Sequence, residues 1–121
     1  MLDSTDKKRR ENMPHYMYQA SYSPEAVKTL VNNPQDRTGA AKAAIEANGG
    51  SMIGAWMAFG SDDLLVIADM PDDASMAAVA FAVSAAGAIV NGKTTKLLDM
   101  PTAVEGMTKA KAVLDAYRPP S

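Results

Sequence analysis

Residues 49–70 set the topology expected for the whole chain. They read Gly-Gly-Ser-Met-Ile-Gly-Ala-Trp-Met-Ala-Phe-Gly-Ser-Asp-Asp-Leu-Leu-Val-Ile-Ala-Asp-Met. Two apolar runs, 52–59 and 64–70, flank a short Gly-Ser-Asp-Asp turn, and each is too short for a typical helix. The stretch therefore predicts a β-hairpin whose turn is closed by Asp62 or Asp63, bonding back to the turn backbone.

The segment before the hairpin predicts one strand and two helices. Residues 15–22 have strand character because alternation places three tyrosines and Ala20 on one face. Ser23-Pro24-Glu25 is typical of a helix start, with a capping hydroxyl, a proline suited to the first helical position and an acidic residue suited to the helix dipole. Asp36 can cap a second helix, rich in alanine, over residues 37–48.

The segment after the hairpin predicts a helix, a strand and a terminal helix. Pro71-Asp72-Asp73 is a capped start, and the helix that follows should end at Gly87. Residues 88–99 predict a fourth strand, with a bulge at Asn91-Gly92. Thr102 to Glu105 has the spacing of a capping box, which predicts the start of the terminal helix after Pro101.

This element order indicates an α+β protein of the ferredoxin-like βαββαβ type. Such a fold has a four-stranded antiparallel sheet with its helices on one face. The extra C-terminal helix follows the sheet, and strands 15–22 and 64–70 should be central. The strand over 64–70 is apolar on both faces up to Asp69, and such a strand is normally covered on both sides. A second subunit is the simplest cover, so we expect a dimer.

Composition narrows the class of protein. A length of 121 residues is typical of one domain, which is expected over residues 14–118. The net charge of −2 makes nucleic acid an unlikely main partner. Residues 1–13 are interpreted as a flexible arm that contains the basic run Lys7 to Arg10. The absence of cysteine excludes thiol catalysis, disulfides and thiolate metal sites. No run is long enough to span a membrane and no secretory signal is evident, so a cytoplasmic protein is expected.

Three segments carry a resemblance to a known family. They are residues 33–37 (Asn-Pro-Gln-Asp-Arg), the hairpin, and Met70-Pro71-Asp72. From about Tyr16 to the start of the last helix, the chain resembles the GYD domain family. The resemblance implies the fold of the dimeric α/β-barrel proteins, in which two ferredoxin-like sheets face each other. Gly60 and Asp63 match the turn that names the family, whereas Asp62 stands in place of its tyrosine.

The sequence offers few groups for catalysis. His15 is the single histidine, and no residues have the spacing of a metal site, a phosphate-binding loop or a nucleophile elbow. We therefore predict no metal and no cofactor, and assign no catalytic residue. His15 could act as a general base or haem ligand, although a surface residue at a strand end is the commoner situation for a lone imidazole.

A ligand site can nevertheless be predicted from the first strand. Alanine-rich helices accommodate bulky partners, so Tyr16, Tyr18 and Ala20 should lie under the helices. The opposite face, with Gln19, should then look into the dimeric barrel, where a few polar groups in an apolar pocket are typical of a small-molecule site. The predicted lining includes Met17 and Gln19 of the first strand. It also includes one member of each of two pairs: Trp56 or Met57, and Lys93 or Lys96.

Three functions remain open at this point. The favoured one is a non-catalytic oligomeric protein with an assembly or regulatory role, because no acid–base pair can be assigned. The alternative is a small-molecule-binding protein or a cofactor-independent enzyme of the oxygenase, isomerase or cyclase type, with its pocket in the dimeric barrel. A third is a nucleic-acid accessory protein that acts through the basic arm, and its binding would depend steeply on salt.

Overall fold

The computed structural model describes residues 13–121, so the basic run and nearly all of the predicted arm lie outside the described residues. The elements follow the predicted order: β1 His15–Tyr22, α1 Pro24–Asn32, α2 Thr38–Ala47, β2 Ser51–Met57, β3 Leu64–Asp69, α3 Asp73–Ala85, β4 Ile89–Leu97, α4 Met100–Ala112 and a 3-10 turn Leu114–Ala116. Met13, immediately before β1, is buried.

The four strands form one antiparallel sheet in the order β2-β3-β1-β4. The hairpin of β2 and β3 is confirmed, as are the central positions of β1 and β3 and the ferredoxin-like class. The second strand is shorter than predicted: it ends at Met57 because the Ala58 amide turns to the Asp63 carbonyl, at 2.8 Å. Phe59 therefore lies in the turn and is fully exposed.

Apart from the bond between Ala58 and Asp63, the hairpin turn is held by contacts with β1. The Tyr22 amide donates to the Asp63 carboxylate at 3.1 Å, and the Asp63 amide donates to the Ala20 carbonyl at 2.9 Å. The Asp62 carboxylate accepts from the Lys93 ammonium group on β4 instead. The expectation that an aspartate closes the turn on itself was therefore wrong, because tertiary partners were close enough to compete.

The core lies between the sheet and helices α2 and α3. Tyr16, Tyr18 and Ala20 are buried on this side of β1, which confirms the predicted face assignment. Ile45 of α2 packs on them, together with residues of α3 and β3: Met76, Val79, Val66 and Ala68. Burial of apolar side chains is the main source of stability in a domain of this size.

The helix starts are set by aspartates. Asp72 is the predicted N-cap of α3, and its carboxylate accepts the Ser75 amide at 2.8 Å. The Asp36 carboxylate accepts the Thr38 amide at 2.8 Å, but the N-cap of α2 is Arg37, one residue later than predicted. The predicted capping box of the terminal helix is wrong. Asp99 caps the helix instead: its carboxylate accepts the Thr102 amide at 2.8 Å, and α4 begins at Met100. The helix can include Pro101 because amides in the first turn have no partner within the helix, so the missing N–H of proline costs nothing there.

Two irregular backbone positions occur where they were predicted. Gly87 has a φ of 85° and follows α3, and Asn91 has a φ of 55° within β4. The β1–β4 register shifts between Gln19 and Ser21, opposite Asn91. The extra residue therefore reverses the alternation of β4 after the bulge, so that Lys93 and Thr95 share a face with Val90.

Helix α4 does not contribute to the core. None of its residues is buried, and its apolar residues Val104 and Met107 are mostly exposed. The same holds for Leu114 in the following 3-10 turn. Within residues 13–121, no helix has the length and apolar character needed to cross a membrane.

Candidate functional site

The sheet has one face that no described helix covers, and we call it the open sheet face. Helices α2 and α3 pack on the opposite side, and α4 buries no residue. The strand register arranges the open sheet face in rows that run from β2 through β3 and β1 to β4: Trp56-Leu65-Gln19-Lys93, then Gly54-Ile67-Met17-Thr95, then Ser51-Asp69-His15-Leu97.

Four of the six predicted site residues share this face: Met17, Gln19, Trp56 and Lys93. Met57 is opposite Leu64 and Lys96 is opposite Tyr16, so both belong to the side that carries the helices. Side chains alternate along a strand, which explains why only one member of each predicted pair reaches the open sheet face.

The centre of the open sheet face is apolar. Met17, Leu65 and Ile67 are half-buried by their neighbours in the sheet. Trp56, at the β2 edge, is 53% exposed, and its indole lies over Gly54, where an added Cβ would come within 2.5 Å of the ring. A continuous apolar surface on a central pair of strands is typical of an interaction site.

Polar groups interrupt this surface at Gln19 and Lys93. The Gln19 amide makes no side-chain hydrogen bond with any residue from 13 to 121. The Lys93 ammonium group lies 3.3 Å from the Asp62 carboxylate, whose side chain is only 10% exposed. This ion pair connects the hairpin turn to β4.

A histidine–aspartate pair lies at the other end of the open sheet face. His15 Nδ1 is hydrogen-bonded to Asp69 Oδ1, its cross-strand neighbour. A carboxylate in this position fixes the orientation of an imidazole. Sequence reasoning identified His15 but missed Asp69, and the signal that could have found it is the antiparallel register, which puts the two residues opposite each other.

On the helix side, Lys96 belongs to a different cluster. The Tyr16 hydroxyl donates to Asp73 at the start of α3, and the Lys96 ammonium group lies 3.0 Å from the same carboxylate. Burial and the hydrogen bond to Asp73 raise the pKa of Tyr16 to about 12. The hydrogen bonds from Tyr16 and Lys96 in turn lower the pKa of Asp73. This cluster connects β1 and β4 to α3. It lies on the opposite side of the sheet from Gln19, so Lys96 and Gln19 do not line a common site.

Met57 contributes to a cleft on the helix side of the β2 edge. The cleft has a volume of about 540 Å³ and lies between β2 and the connection of α1 to α2. Trp56 also reaches it from the strand edge, and Arg37 lies on its opposite wall. The predicted site residues are therefore divided between two surfaces rather than gathered around one cavity.

The open sheet face has the composition of a contact surface. In the part of the chain that the structure describes, no three histidine or acidic side chains come together in a way that could hold a metal ion. The open sheet face combines an apolar centre with one amide and paired charges at both ends. Such a surface is suited to burial against another apolar surface.

Comparison with known proteins agrees with the geometry. The family model described as GYD domain matches residues 16–106. This range runs from β1 through the whole sheet into α4. No curated protein matches the chain significantly. Because the matched range includes all four strands and the hairpin turn at Gly60 to Asp63, the chain belongs to the GYD domain family.

Proposed function

We propose that this protein works as a homo-oligomer with an assembly or regulatory role, built from dimers in which two open sheet faces meet. The observation that supports the proposal is the apolar centre of that face, formed by Met17, Leu65 and Ile67 on the two central strands. A monomer leaves this surface in water. Burying apolar area stabilises association by about 25 cal/mol per Å² before the entropy of association is subtracted.

A second copy of the chain fits the charges of the face. Lys93 is paired with Asp62 at one end, and His15 with Asp69 at the other. Two faces related by a two-fold axis would therefore meet with these charged groups already hydrogen-bonded, which avoids the cost of burying a charge without a partner. The family resemblance, which implies a dimeric barrel, agrees with the same arrangement.

A charge at the centre of the face tests the proposal. Sedimentation velocity at micromolar concentration should show a dimer or a multiple of it for the wild type and a monomer for Ile67→Lys. Phe81→Lys is the matched control, because Phe81 is 76% exposed on α3 in the opposite layer. A wild-type monomer, or an Ile67→Lys variant that stays dimeric, would contradict the proposal.

A small-molecule-binding protein or a cofactor-independent enzyme is the second candidate. It is supported by the Gln19 amide, which lacks a described partner and shares the open sheet face with Met17, Trp56 and Lys93. These side chains would line the space between two facing sheets. A buried amide without a partner costs about 1–3 kcal/mol, and a bound ligand could supply the missing hydrogen bonds.

Native mass spectrometry separates the two candidates, since it reports the oligomer mass and any retained ligand together. For a ligand site, Gln19→Leu should keep the oligomer and lose the bound mass. If the variant becomes more stable and nothing bound is lost, Gln19 is an ordinary interface residue and the binding function fails.

A further inference from the structure

The strongest unassigned feature is a cavity inside the subunit, away from the open sheet face. It has a volume of about 200 Å³ and lies between the sheet and helices α2 and α3. Its walls are apolar and aromatic: Tyr16, Tyr18 and Val66 from the sheet, Ile45 from α2, and Val79 and Val83 from α3. Protein interiors are normally filled to crystal density, and an apolar cavity of about 150 Å³ is already large enough to take up benzene.

The wall of the cavity offers few polar atoms. The hydroxyl of Tyr18 is buried and makes no hydrogen bond with any residue from 13 to 121. It lies against Gly92 of β4, which does not line the cavity. The space is therefore bounded mainly by carbon atoms.

Arg37 gives the cavity a charge preference. It is the only charged residue among those that line the cavity. Its guanidinium group contacts the neutral Gln35 side chain at 3.3 Å and forms no ion pair with a residue in the described range. The carboxylate of its neighbour Asp36 is occupied by the Thr38 amide. Arginine in this situation is suited to bind a carboxylate in a bidentate manner.

The cavity adjoins the cleft beside Trp56 and Met57. Four residues line both spaces: Tyr22, Arg37, Ala41 and Leu64. Arg37 thus lies where the solvent-facing cleft meets the apolar interior. A ligand could place an apolar ring inside while its charged group stays at the junction.

We propose that the cavity and the cleft together form a binding site for a single-ring aromatic carboxylic acid. The ring lies among Tyr16, Tyr18 and the aliphatic side chains of α2 and α3, because aromatic rings pack favourably on one another. The carboxylate meets the Arg37 guanidinium group. The site lies within one subunit and is independent of how two open sheet faces associate.

Two probes of similar size test the proposal in solution. 4-Hydroxybenzoate carries the ring, a hydroxyl group and the carboxylate, whereas 4-hydroxybenzyl alcohol has an uncharged CH2OH group in place of the carboxylate. Amide chemical shifts of the full-length protein should respond to 4-hydroxybenzoate in α2, α3 and β1. The acid should bind at least about tenfold more tightly than the alcohol.

Matched variants locate the site. Arg37→Gln should remove the preference for the acid, and Ala41→Leu should block both probes by filling the shared wall. Ala43→Leu is the control, since Ala43 is exposed on the same helix and lines neither space. The proposal is overturned if neither probe binds at millimolar concentration, if Arg37→Gln keeps the preference, or if the shifts map to Met17 and Ile67 on the open sheet face.

Discussion

At the residue scale, Tyr16 shows how burial and one contact act on the same group. Its ring is buried against the core while its hydroxyl reaches the exposed Asp73 carboxylate at the start of α3. Both effects favour the neutral phenol, which is why the pKa rises from 10.0 to about 12. Tyr16 is therefore a titratable link between the sheet and a helix.

The sign of its contribution to stability follows from that direction. A raised pKa in the folded state gives a contribution that is fully present below pH 10.0 and is lost as the pH rises towards about 12. Urea unfolding of the wild type should show this alkaline loss, and Tyr16→Phe should show less of it. Near neutral pH the variant should be less stable by about 1 kcal/mol. An equally steep alkaline loss in the variant would contradict the assignment.

Gly50 illustrates a purely steric requirement. A Cβ at this position would lie 2.6 Å from the Asp69 carbonyl oxygen and 2.9 Å from Ile45 Cγ2. Backbone cannot move away as a flexible side chain can, so Gly50→Ala should lower the free energy of unfolding by about 1–3 kcal/mol. Thermal or chemical denaturation measures this change directly.

Gly39 is the control for that substitution. A Cβ there meets nothing within 4 Å, and the residue lies in α2. Gly39→Ala should leave stability unchanged or raise it by up to about 1 kcal/mol, because alanine is the better helix former. If both variants lost the same free energy of unfolding, the close contacts at Gly50 would not explain the destabilisation.

At the element scale, aspartates hold the starts of three helices. Hydrogen bonds from Thr38, Ser75 and Thr102 lower the pKa values of Asp36, Asp72 and Asp99. A lowered pKa in the folded state stabilises the protein above the unfolded value of 3.8, and this contribution is lost as the pH falls through the folded values. Circular dichroism should therefore show helix loss in acid.

Asparagine substitutions test this origin of the acid sensitivity. Asparagine caps a helix nearly as well as aspartate but does not titrate. The triple variant Asp36→Asn, Asp72→Asn, Asp99→Asn should keep its helix content at neutral pH and lose less of its stability in acid than the wild type. Identical acid profiles for the two proteins would place the sensitivity elsewhere.

Helix α4 should behave differently from α3. It buries no residue, whereas α3 buries Met76 and Val79. Helical segments without tertiary packing open readily, so the amides of α4 should exchange with solvent much faster than those of α3 in a dilute sample. Hydrogen exchange followed by mass spectrometry measures both helices at once, and equal protection in the dilute sample would contradict the prediction.

At the scale of the whole molecule, association links stability to concentration. A dimer formed by the open sheet faces should melt at a higher temperature as protein concentration rises, because association stabilises the folded state by mass action. The melting temperature of Ile67→Lys should not depend on concentration. Differential scanning calorimetry over a wide concentration range tests this, and a wild-type melting temperature that stays constant would argue against assembly.

Local signals were sufficient to determine the order of elements and the buried face of β1. The hairpin, the burial of Tyr16 and Tyr18, and the hydrogen bonds of Asp36 and Asp72 follow from alternation and from contacts between residues close in sequence. These features depend on neighbours a few positions apart, and that range is directly readable in a sequence.

Tertiary structure alone decided the side-chain partners and the cavities. His15 meets Asp69 across 54 positions and Tyr16 meets Asp73 across 57. Alternation showed that Lys93 and Lys96 lie on opposite faces, but only the register of β4 against β1 decided which of them joins Gln19. The cavity beside Arg37 depends on how α2 and α3 pack against the sheet. Such distances arise from the packing of whole elements, which no local pattern encodes.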